Sequence, residues 1–325
     1  MQDQVAIGDS VVVARSAADV VATRARVATR LVGREHELEL VLSAIAAGRD
    51  IVLEGPPGTG KTTMLRAIAD EWGIPLLYVE GNADLTPAKL IGHHNPARVL
   101  KEDYTEDNFV PGPLLEAMRT GGFLYLEEFN RAPDDTLNTL LAALAERRIA
   151  VPRVGVVTAA PSFRLIASMN PYDNVGTTRL STSISDRLCR LSIDYQDAGA
   201  ETGITDLRTD DGGALGLRLI ADAVYLTRAT RSHPDLRQGS SVRGAIDTVL
   251  VANQLALLRH ITVAEDSTTR LDPAGPYPQL VLDSMIVALS GRIHLDESVD
   301  TNPERVLHEI WEDRFVLNPA AAAPG

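Results

Sequence analysis

The sequence contains a single cysteine, Cys189, among 325 residues. One cysteine excludes a disulfide within the chain, which is typical of proteins in a reducing cytoplasm. No stretch reaches the ~18 apolar residues that a membrane-spanning helix needs. Residues 1–10 also lack the basic and apolar segments of a secretory signal. We therefore expect a cytoplasmic protein without a membrane span.

Basic residues are in the minority. Lys and Arg number 31 against 44 Asp and Glu, which gives a formal net charge of −13. Sequence-independent binding of DNA or RNA needs a positively charged surface, so the excess of acidic over basic residues argues against nucleic acid as the main partner. Aromatic residues make up only 4%, so the core must be built largely of Leu, Ile, Val and Ala. No Cys or His cluster has the spacing of a zinc site.

From Leu31 onwards, short apolar runs alternate with helical patterns. Uninterrupted apolar runs of this kind predict the strands of a parallel sheet that is covered on both faces, and therefore an α/β fold. A helix is predicted over 134–148 and a β-hairpin over 149–163. The predicted strands contain residues 51–53, 76–79, 123–126, 165–167 and 188–193.

The patterns also predict how the chain is divided. We expect a helical arm over 1–30, an α/β core over 31–200, a small all-helical domain over 201–317 and a disordered tail over 318–325. The polar, Gly/Asp-rich stretch 196–213 is predicted to be a linker. The helices of the second domain are predicted near 214–230, 241–260, 276–290 and 303–313.

A glycine-rich segment follows the first predicted strand and precedes a helical pattern. It matches the phosphate-binding signature G-x-x-x-x-G-K-[ST] in full. Glycines let backbone N–H groups turn inward around phosphate oxygens, and the helix that begins here adds the positive end of its dipole. We expect Lys61 to reach the β- and γ-phosphates and the Thr62 hydroxyl to bind Mg²⁺. The predicted ATP- or ADP-binding residues here are Gly55, Pro56, Pro57, Gly58, Thr59, Gly60, Lys61, Thr62 and Thr63.

Polar side chains follow two later strands. The run 123–126 ends in Glu127 and Glu128, and in a P-loop ATPase the first acid orients Mg²⁺ while the second activates the attacking water. The first acid is usually Asp; the extra methylene of Glu127 moves the carboxylate by roughly 1.5 Å, the length of one C–C bond, and this could slow hydrolysis. Asn170 ends the next strand, where its amide would hold the water or the γ-phosphate; the alternative is that it caps the turn before Pro171.

The ordered set of motifs resembles the MoxR-type AAA+ ATPases over about residues 31–260. The N-R-A-P signature of that group is matched by 130–133, directly after the acidic pair. Segments 112–114 (G-P-L) and 169–171 (M-N-P) match its flanking motifs. Residues 32–35, which begin with Val32 and Gly33, resemble the AAA+ segment that lies against adenine.

The resemblance implies a P-loop AAA+ αβα sandwich with a parallel sheet, followed by a small all-helical lid. An insertion in the second helix would occupy about 84–113. Such proteins form rings, usually hexamers, in which one subunit's arginine completes the next subunit's site. The matching residue is Arg187, and Arg243 matches a second arginine from the lid. Leu188, where the family often has Phe, and Glu127, in place of Asp, depart from the pattern.

The resemblance leaves the roles of three residues open. Arg131 is either structural or directed at the neighbouring subunit. Adjacent histidines point in different directions, so His93 and His94 are poorly placed to share a metal. They are predicted to lie in a solvated loop.

Three functions fit the sequence. The first is a ring ATPase that remodels or matures a client protein complex, in the way of a chaperone or by metal or cofactor insertion. Such ATPases often act with a separate von Willebrand factor A-domain protein, whose Asp-x-Ser-x-Ser motif this chain lacks. The second is another motor, such as a nucleic-acid translocase or a chelatase or gas-vesicle subunit; the acidic charge disfavours the translocase. The third is a scaffold that assembles with ATP but turns over slowly because of Glu127.

Overall fold

The computed structural model describes residues 17–102, 104–170, 182–210, 215–261 and 273–317. The chain divides into two compact units, one of Met1–Pro56 with Gly60–Asp194 and one of Pro57–Thr59 with Tyr195–Gly325. The division falls six residues before the predicted boundary at 200/201. The predicted tail and the first sixteen residues of the predicted arm lie outside the described residues.

A five-stranded parallel sheet forms the centre of the first unit and confirms the predicted fold class. The strands of this unit are β1 (Ile51–Glu54), β2 (Leu76–Glu80), β3 (Gly92–His94), β4 (Phe109–Pro111), β5 (Phe123–Glu127), β6 (Arg148–Val151), β7 (Gly155–Thr158), β8 (Arg164–Met169) and β9 (Cys189–Ser192). The order in the central sheet is β2-β5-β8-β1-β9, and every pair is parallel. All five predicted strand runs are therefore in this sheet. Because the strands are parallel, their carboxyl ends meet at one edge.

Helices cover both faces of this sheet. They are α1 (Ala17–Ala28), α2 (Glu35–Ala46), α3 (Lys61–Trp72), α4 (Pro87–Ile91), α5 (Pro96–Glu102), α6 (Pro113–Thr120), α7 (Asp134–Glu146) and α8 (Thr182–Ser185). Along β5, Phe123 and Tyr125 enter the core formed with α1, α2 and α3, while Leu124 and Leu126 enter the core formed with α6 and α7. Successive strand residues point to opposite faces, so a sheet buried on both sides needs apolar residues at every position.

The described part of the predicted arm is packed against the sheet domain. Val27 of α1 is fully buried in the core with α2 and α3. The indole Nε1 of Trp72 donates a hydrogen bond to Thr23 Oγ1 over 2.8 Å. Burial of Val27 and this hydrogen bond fix α1 against α3.

The region predicted as the helix insertion contains α4, the antiparallel pair of β3 and β4, and α5 between these two strands. His93 and His94 belong to β3 and pair with β4, so the prediction of a solvated loop is wrong. His93 is exposed, but the His94 ring is half-buried with edge contacts to the rings of Tyr104 and Phe109. The predicted hairpin over 149–163 is formed by β6 and β7.

The second unit is mainly helical. Its elements are α9 (Ala198–Thr209), α10 (Gly216–Ala229), β10 (Leu236–Gln238), α11 (Val242–Arg259), α12 (Pro276–Leu289), β11 (His294–Leu295) and α13 (Pro303–Glu312). The antiparallel pair of β10 and β11 adds a small sheet to the predicted helices. In the part of the chain that the structure describes, no helix is long and apolar enough to cross a membrane.

The predicted linker over 196–213 is wrong, because α9 occupies most of it. Asp197 caps this helix by accepting a hydrogen bond from Ala200 N–H over 2.8 Å. Glu201 faces inward at 3% exposure and pairs with Arg228 and Arg231 at 3.1 and 2.8 Å. A buried carboxylate needs such partners. The helix was missed because a charged residue occupies an inward position where a helical pattern would show an apolar one.

Candidate nucleotide site

The segment after β1 places a buried ammonium at the start of a helix. Lys61 is the first residue of α3, and its Nζ donates hydrogen bonds to the carbonyl oxygens of Gly55 and Pro56 over 2.7 and 2.8 Å. Gly60 precedes the helix in a left-handed conformation, with φ at 86°, and no side chain caps α3. A helix N-terminus beside a lysine ammonium is a favourable place for phosphate.

Gly55 ties this segment to the neighbouring strands. Its N–H donates to Met169 O at the end of β8 over 3.0 Å. A Cβ at this position would lie 1.9 Å from Ile193 O. Only glycine allows so close an approach, and it keeps the segment at the carboxyl edge of the sheet.

The two predicted acids lie at the carboxyl end of β5. Glu127 Oε1 accepts a hydrogen bond from Thr62 Oγ1 over 3.4 Å. Glu128 has a left-handed backbone with φ at 52°, and its Oε2 forms an ion pair with Arg131 Nη1 at 2.7 Å. A left-handed conformation in a residue with a side chain costs of order 1–3 kcal/mol and tends to occur at functional sites. The structure thus brings Thr62 and Glu127 together and assigns Arg131 a contact with Glu128.

Two tyrosines contact Glu127, and the sequence analysis did not identify them. Tyr78 OH donates to Glu127 Oε2 over 2.5 Å. Tyr125 OH lies 3.4 Å from Glu127 Oε1, 3.2 Å from Thr62 Oγ1 and 3.0 Å from Ser168 Oγ. The period-two alternation of a strand could have identified Tyr125, because it precedes Glu127 by two residues and shares its face of the sheet.

Burial raises the pKa of both phenols. For Tyr78 the hydrogen bond to Glu127 and the charge of that carboxylate raise the pKa further. For Tyr125, burial outweighs the opposing hydrogen bonds from Ser168 and Thr62. Both hydroxyls therefore keep their protons in neutral solution and remain able to donate.

The oxygens of Thr62 and Glu127 fit a shared magnesium ion. Mg²⁺ prefers oxygen ligands at 2.0–2.1 Å in octahedral geometry, which places adjacent ligand oxygens about 3 Å apart. The observed separation of 3.4 Å between Thr62 Oγ1 and Glu127 Oε1 needs only a small adjustment. A Mg²⁺ ion here would be held by these two groups together with nucleotide phosphates and would offset phosphate charge.

Asn170 and the segment of Val32 and Gly33 are positioned by other contacts. Asn170 follows β8 at the same sheet edge, and its carbonyl accepts a hydrogen bond from buried Asn130 over 3.5 Å. Gly33 has a positive φ of 63°, and next to it Arg34 is buried and donates to Asp194 O over 2.6 Å. That contact holds the segment with Val32 in place.

The two arginines predicted from the ring resemblance are both exposed. Arg187 follows α8, and its Nη1 donates to Ser183 O and Oγ over 2.7 and 2.9 Å. Arg243 lies in the first turn of α11 in the second unit. Within the first unit, Arg187 is not among the described hydrogen-bond partners of Glu127.

Comparison with known proteins places the chain in a family. Residues 50–188 match the model of the AAA domain (dynein-related subfamily). An uncharacterized protein of Staphylococcus epidermidis is 33% identical over 216 residues, which cover 66% of this chain and 81% of that protein. The chain belongs to the AAA+ ATPases. The resemblance inferred from the sequence motifs is thereby confirmed at the family level.

Several relatives of this AAA+ protein carry a functional name. Gas vesicle ATPase GvpN of Ancylobacter aquaticus is 28% identical over 229 residues, which cover 65% of this chain. The match spans 62% of that relative's own length, so it is similar over less than two thirds of GvpN. A mutant of Thermotoga maritima RuvB shares the fold with a TM-score of 0.52 at 16% identity, over 80% of this chain and 71% of that one.

Proposed function

We propose that this AAA+ protein binds ATP with Mg²⁺, hydrolyses it and uses the cycle to remodel or mature a client protein complex. The observation that carries the proposal is the meeting of Thr62 and Glu127 at the sheet edge where Lys61 begins α3. A phosphate-binding helix start and a metal-binding pair within one cluster are what phosphoryl transfer requires.

The roles within the site follow from the chemistry of each group. Lys61 would give up its two loop carbonyls for phosphate oxygens, which are stronger partners because they are charged. Glu128 would accept a proton from the attacking water, and Asn170 would help to hold that water. The ion pair between Arg131 and Glu128 would keep the base in position at the end of β5.

The proposal includes a homo-oligomeric ring, most simply a hexamer. Exposed Arg187 is suited to stabilising the transferred phosphoryl group in a neighbouring subunit, as arginine fingers do. Arg243 retains the role that the resemblance gives it, a second arginine contributed to nucleotide binding. The client would be a protein complex, with a von Willebrand factor A-domain protein as a candidate partner.

The test is steady-state ATP turnover with Mg²⁺ across a range of protein concentrations. Specific activity that rises with concentration and then levels off supports sites completed between subunits. Lys61→Ala provides the control, because it should remove most of the affinity for ATP measured by calorimetry. Unchanged ATP binding in this variant would contradict the phosphate-site assignment. ATP binding and assembly with negligible turnover would instead favour the slow scaffold.

The similarity to GvpN favours a second candidate, a gas-vesicle ATPase subunit. Its test is expression of this chain in cells that lack their own GvpN. Restored gas vesicles with the wild-type chain, and none with Lys61→Ala, would favour this candidate. Failure to restore them, combined with ATPase stimulation by another client protein, would favour the general remodelling role.

A further inference from the structure

Tyr78 and Tyr125 lie side by side on the sheet face that carries Glu127. In the parallel pairing of β2 with β5, Tyr78 is in register with Tyr125, and Glu80 is in register with Glu127. The two rings meet edge to face with centroids 5.8 Å apart. Tyr125 is fully buried, whereas Tyr78 is half exposed. The sheet therefore aims two phenols towards one carboxylate.

The two hydroxyls contact different oxygens of Glu127. Tyr78 OH donates to Oε2, while Tyr125 OH lies near Oε1. Tyr125 OH also lies within hydrogen-bonding distance of Thr62 Oγ1 and of Ser168 Oγ. The Thr62 hydroxyl has one proton, which it can donate to Glu127 Oε1 or to Tyr125 OH. In either case the lone pairs of its oxygen are left for a metal ion.

Glutamate at this position presents a physical problem that aspartate does not. It has one more rotatable bond, so its carboxylate must give up more conformational freedom when it binds a metal. Hydrogen bonds that fix a metal ligand before the metal arrives remove part of that cost. A hydrogen bond on each side of the carboxylate fits this need.

We propose that Tyr78 and Tyr125 are positioning residues that hold Glu127 as a ligand of the nucleotide-bound divalent cation. This inference rests on the proposed nucleotide site and adds to it. The tyrosines touch neither phosphate nor the reacting water in this assignment, and they act through the carboxylate. They compensate for the longer side chain at the position where Asp is usual.

The test is the affinity for Mn²⁺ in the presence of ADP, measured by electron paramagnetic resonance on Tyr78→Phe. Loss of a partner that orients a metal ligand typically weakens metal binding about 10- to 100-fold, and we expect about tenfold here. ADP binding without a divalent cation should stay unchanged, because Tyr78 has no contact with the phosphate-binding segment among its described hydrogen bonds. Tyr125→Phe should also lower the affinity for Mn²⁺.

Tyr225→Phe is the matched control. Tyr225 also donates to a carboxylate, Asp313 Oδ2, over 3.3 Å, but it belongs to the second unit. Its loss should leave Mn²⁺ affinity at the wild-type value. An equal weakening in this variant would show that the effect is general and would overturn the proposal.

A double-mutant cycle with Glu127→Asp tests whether Tyr78 acts through the Glu127 carboxylate. If Tyr78 only stabilised the fold, Tyr78→Phe would have the same effect on Mn²⁺ affinity in both backgrounds. The shorter side chain withdraws the carboxylate by about 1.5 Å, beyond the reach of Tyr78. Adding Tyr78→Phe to Glu127→Asp should then change Mn²⁺ affinity less than twofold, although it costs about tenfold in the wild-type background. Equal effects in the two backgrounds would overturn the proposal.

Two separate results distinguish this inference from the proposed function. Wild-type protein that binds no ADP, with or without a divalent cation, would contradict the nucleotide site itself. Wild-type protein that binds ADP and Mn²⁺, together with Tyr78→Phe that binds Mn²⁺ equally well, would leave the nucleotide site standing and refute the positioning role.

Discussion

Gly81 provides a sharp test of the proposed catalytic geometry. It follows β2, and its N–H donates to Glu127 O over 2.7 Å. A Cβ at this position would lie 2.3 Å from the carbonyl oxygen of Glu128, where Cβ atoms essentially never come closer than 3.0 Å. In Gly81→Ala the backbones at positions 81 and 128 must therefore move apart by at least about 0.7 Å, and we expect this to displace Glu128.

The expected result is loss of turnover with nucleotide binding retained. A misplacement of about 1 Å at a reacting group can cost of order 100-fold in rate, so we expect kcat to fall roughly 10- to 100-fold. The affinity for ADP should change less than threefold, roughly 0.6 kcal/mol or less, because Lys61 and its loop follow β1, two strands away from β5.

The assay is steady-state hydrolysis combined with calorimetric ADP binding. Gly291→Ala is the control, because a Cβ there has no heavy atom within 4 Å, and it should behave as wild type. Circular dichroism would establish that both variants fold. A folded Gly81→Ala protein with wild-type kcat would refute the placement of Glu128 as the base.

Two further predictions concern other parts of the first unit. Arg187→Ala should preserve assembly but lower turnover by about 10³-fold or more; Glu128→Gln subunits, which keep Arg187, should restore activity in mixed rings, and no restoration would rule out action between subunits. Asp50→Ala should lower the free energy of unfolding by about 3 kcal/mol in urea denaturation, because the buried carboxylate pairs with Arg147 and accepts Leu165 N–H over 2.7 Å. Asp247→Ala, which breaks an exposed pair, should cost less than about 1 kcal/mol, and an equal cost would contradict the reasoning.

The sheet could be predicted from the sequence because its physical cause is local and repeated. Burial on both faces requires apolar residues at every strand position, and β5 shows this from Phe123 to Leu126. The glycine-rich segment after β1 was equally visible, since its glycines are needed by the backbone itself. Gly55 lies too close to Ile193 O for any side chain.

The helix α9 could not be predicted in the same way. Its inward face carries Glu201, Thr205 and Thr209, so the apolar period of a helix is absent. Each threonine hydroxyl donates a hydrogen bond to the carbonyl oxygen one turn earlier in the helix, over 2.8 Å. The pairing of Glu201 with Arg228 and Arg231 joins residues 27 and 30 positions apart, which no local pattern encodes.

In the candidate site too, some residues could be predicted from local sequence, whereas others depend on pairing between distant segments. The places of Lys61, Thr62, Glu127 and Glu128 could be predicted because each lies at or after the end of a strand whose carboxyl end must lie at the common edge. Tyr78 could not, because its relevance depends on the register between β2 and β5.

The substitution of Glu for Asp is informative only together with that register. By itself, Glu127 suggested a misplaced metal ligand and slow hydrolysis. With a phenol donating to Oε2 and another beside Oε1, the longer side chain becomes a ligand that is already oriented before the metal binds. A departure from a family motif can thus be compensated by strand neighbours that the motif does not include, and Glu127→Asp in this chain should remove the compensation rather than improve the site.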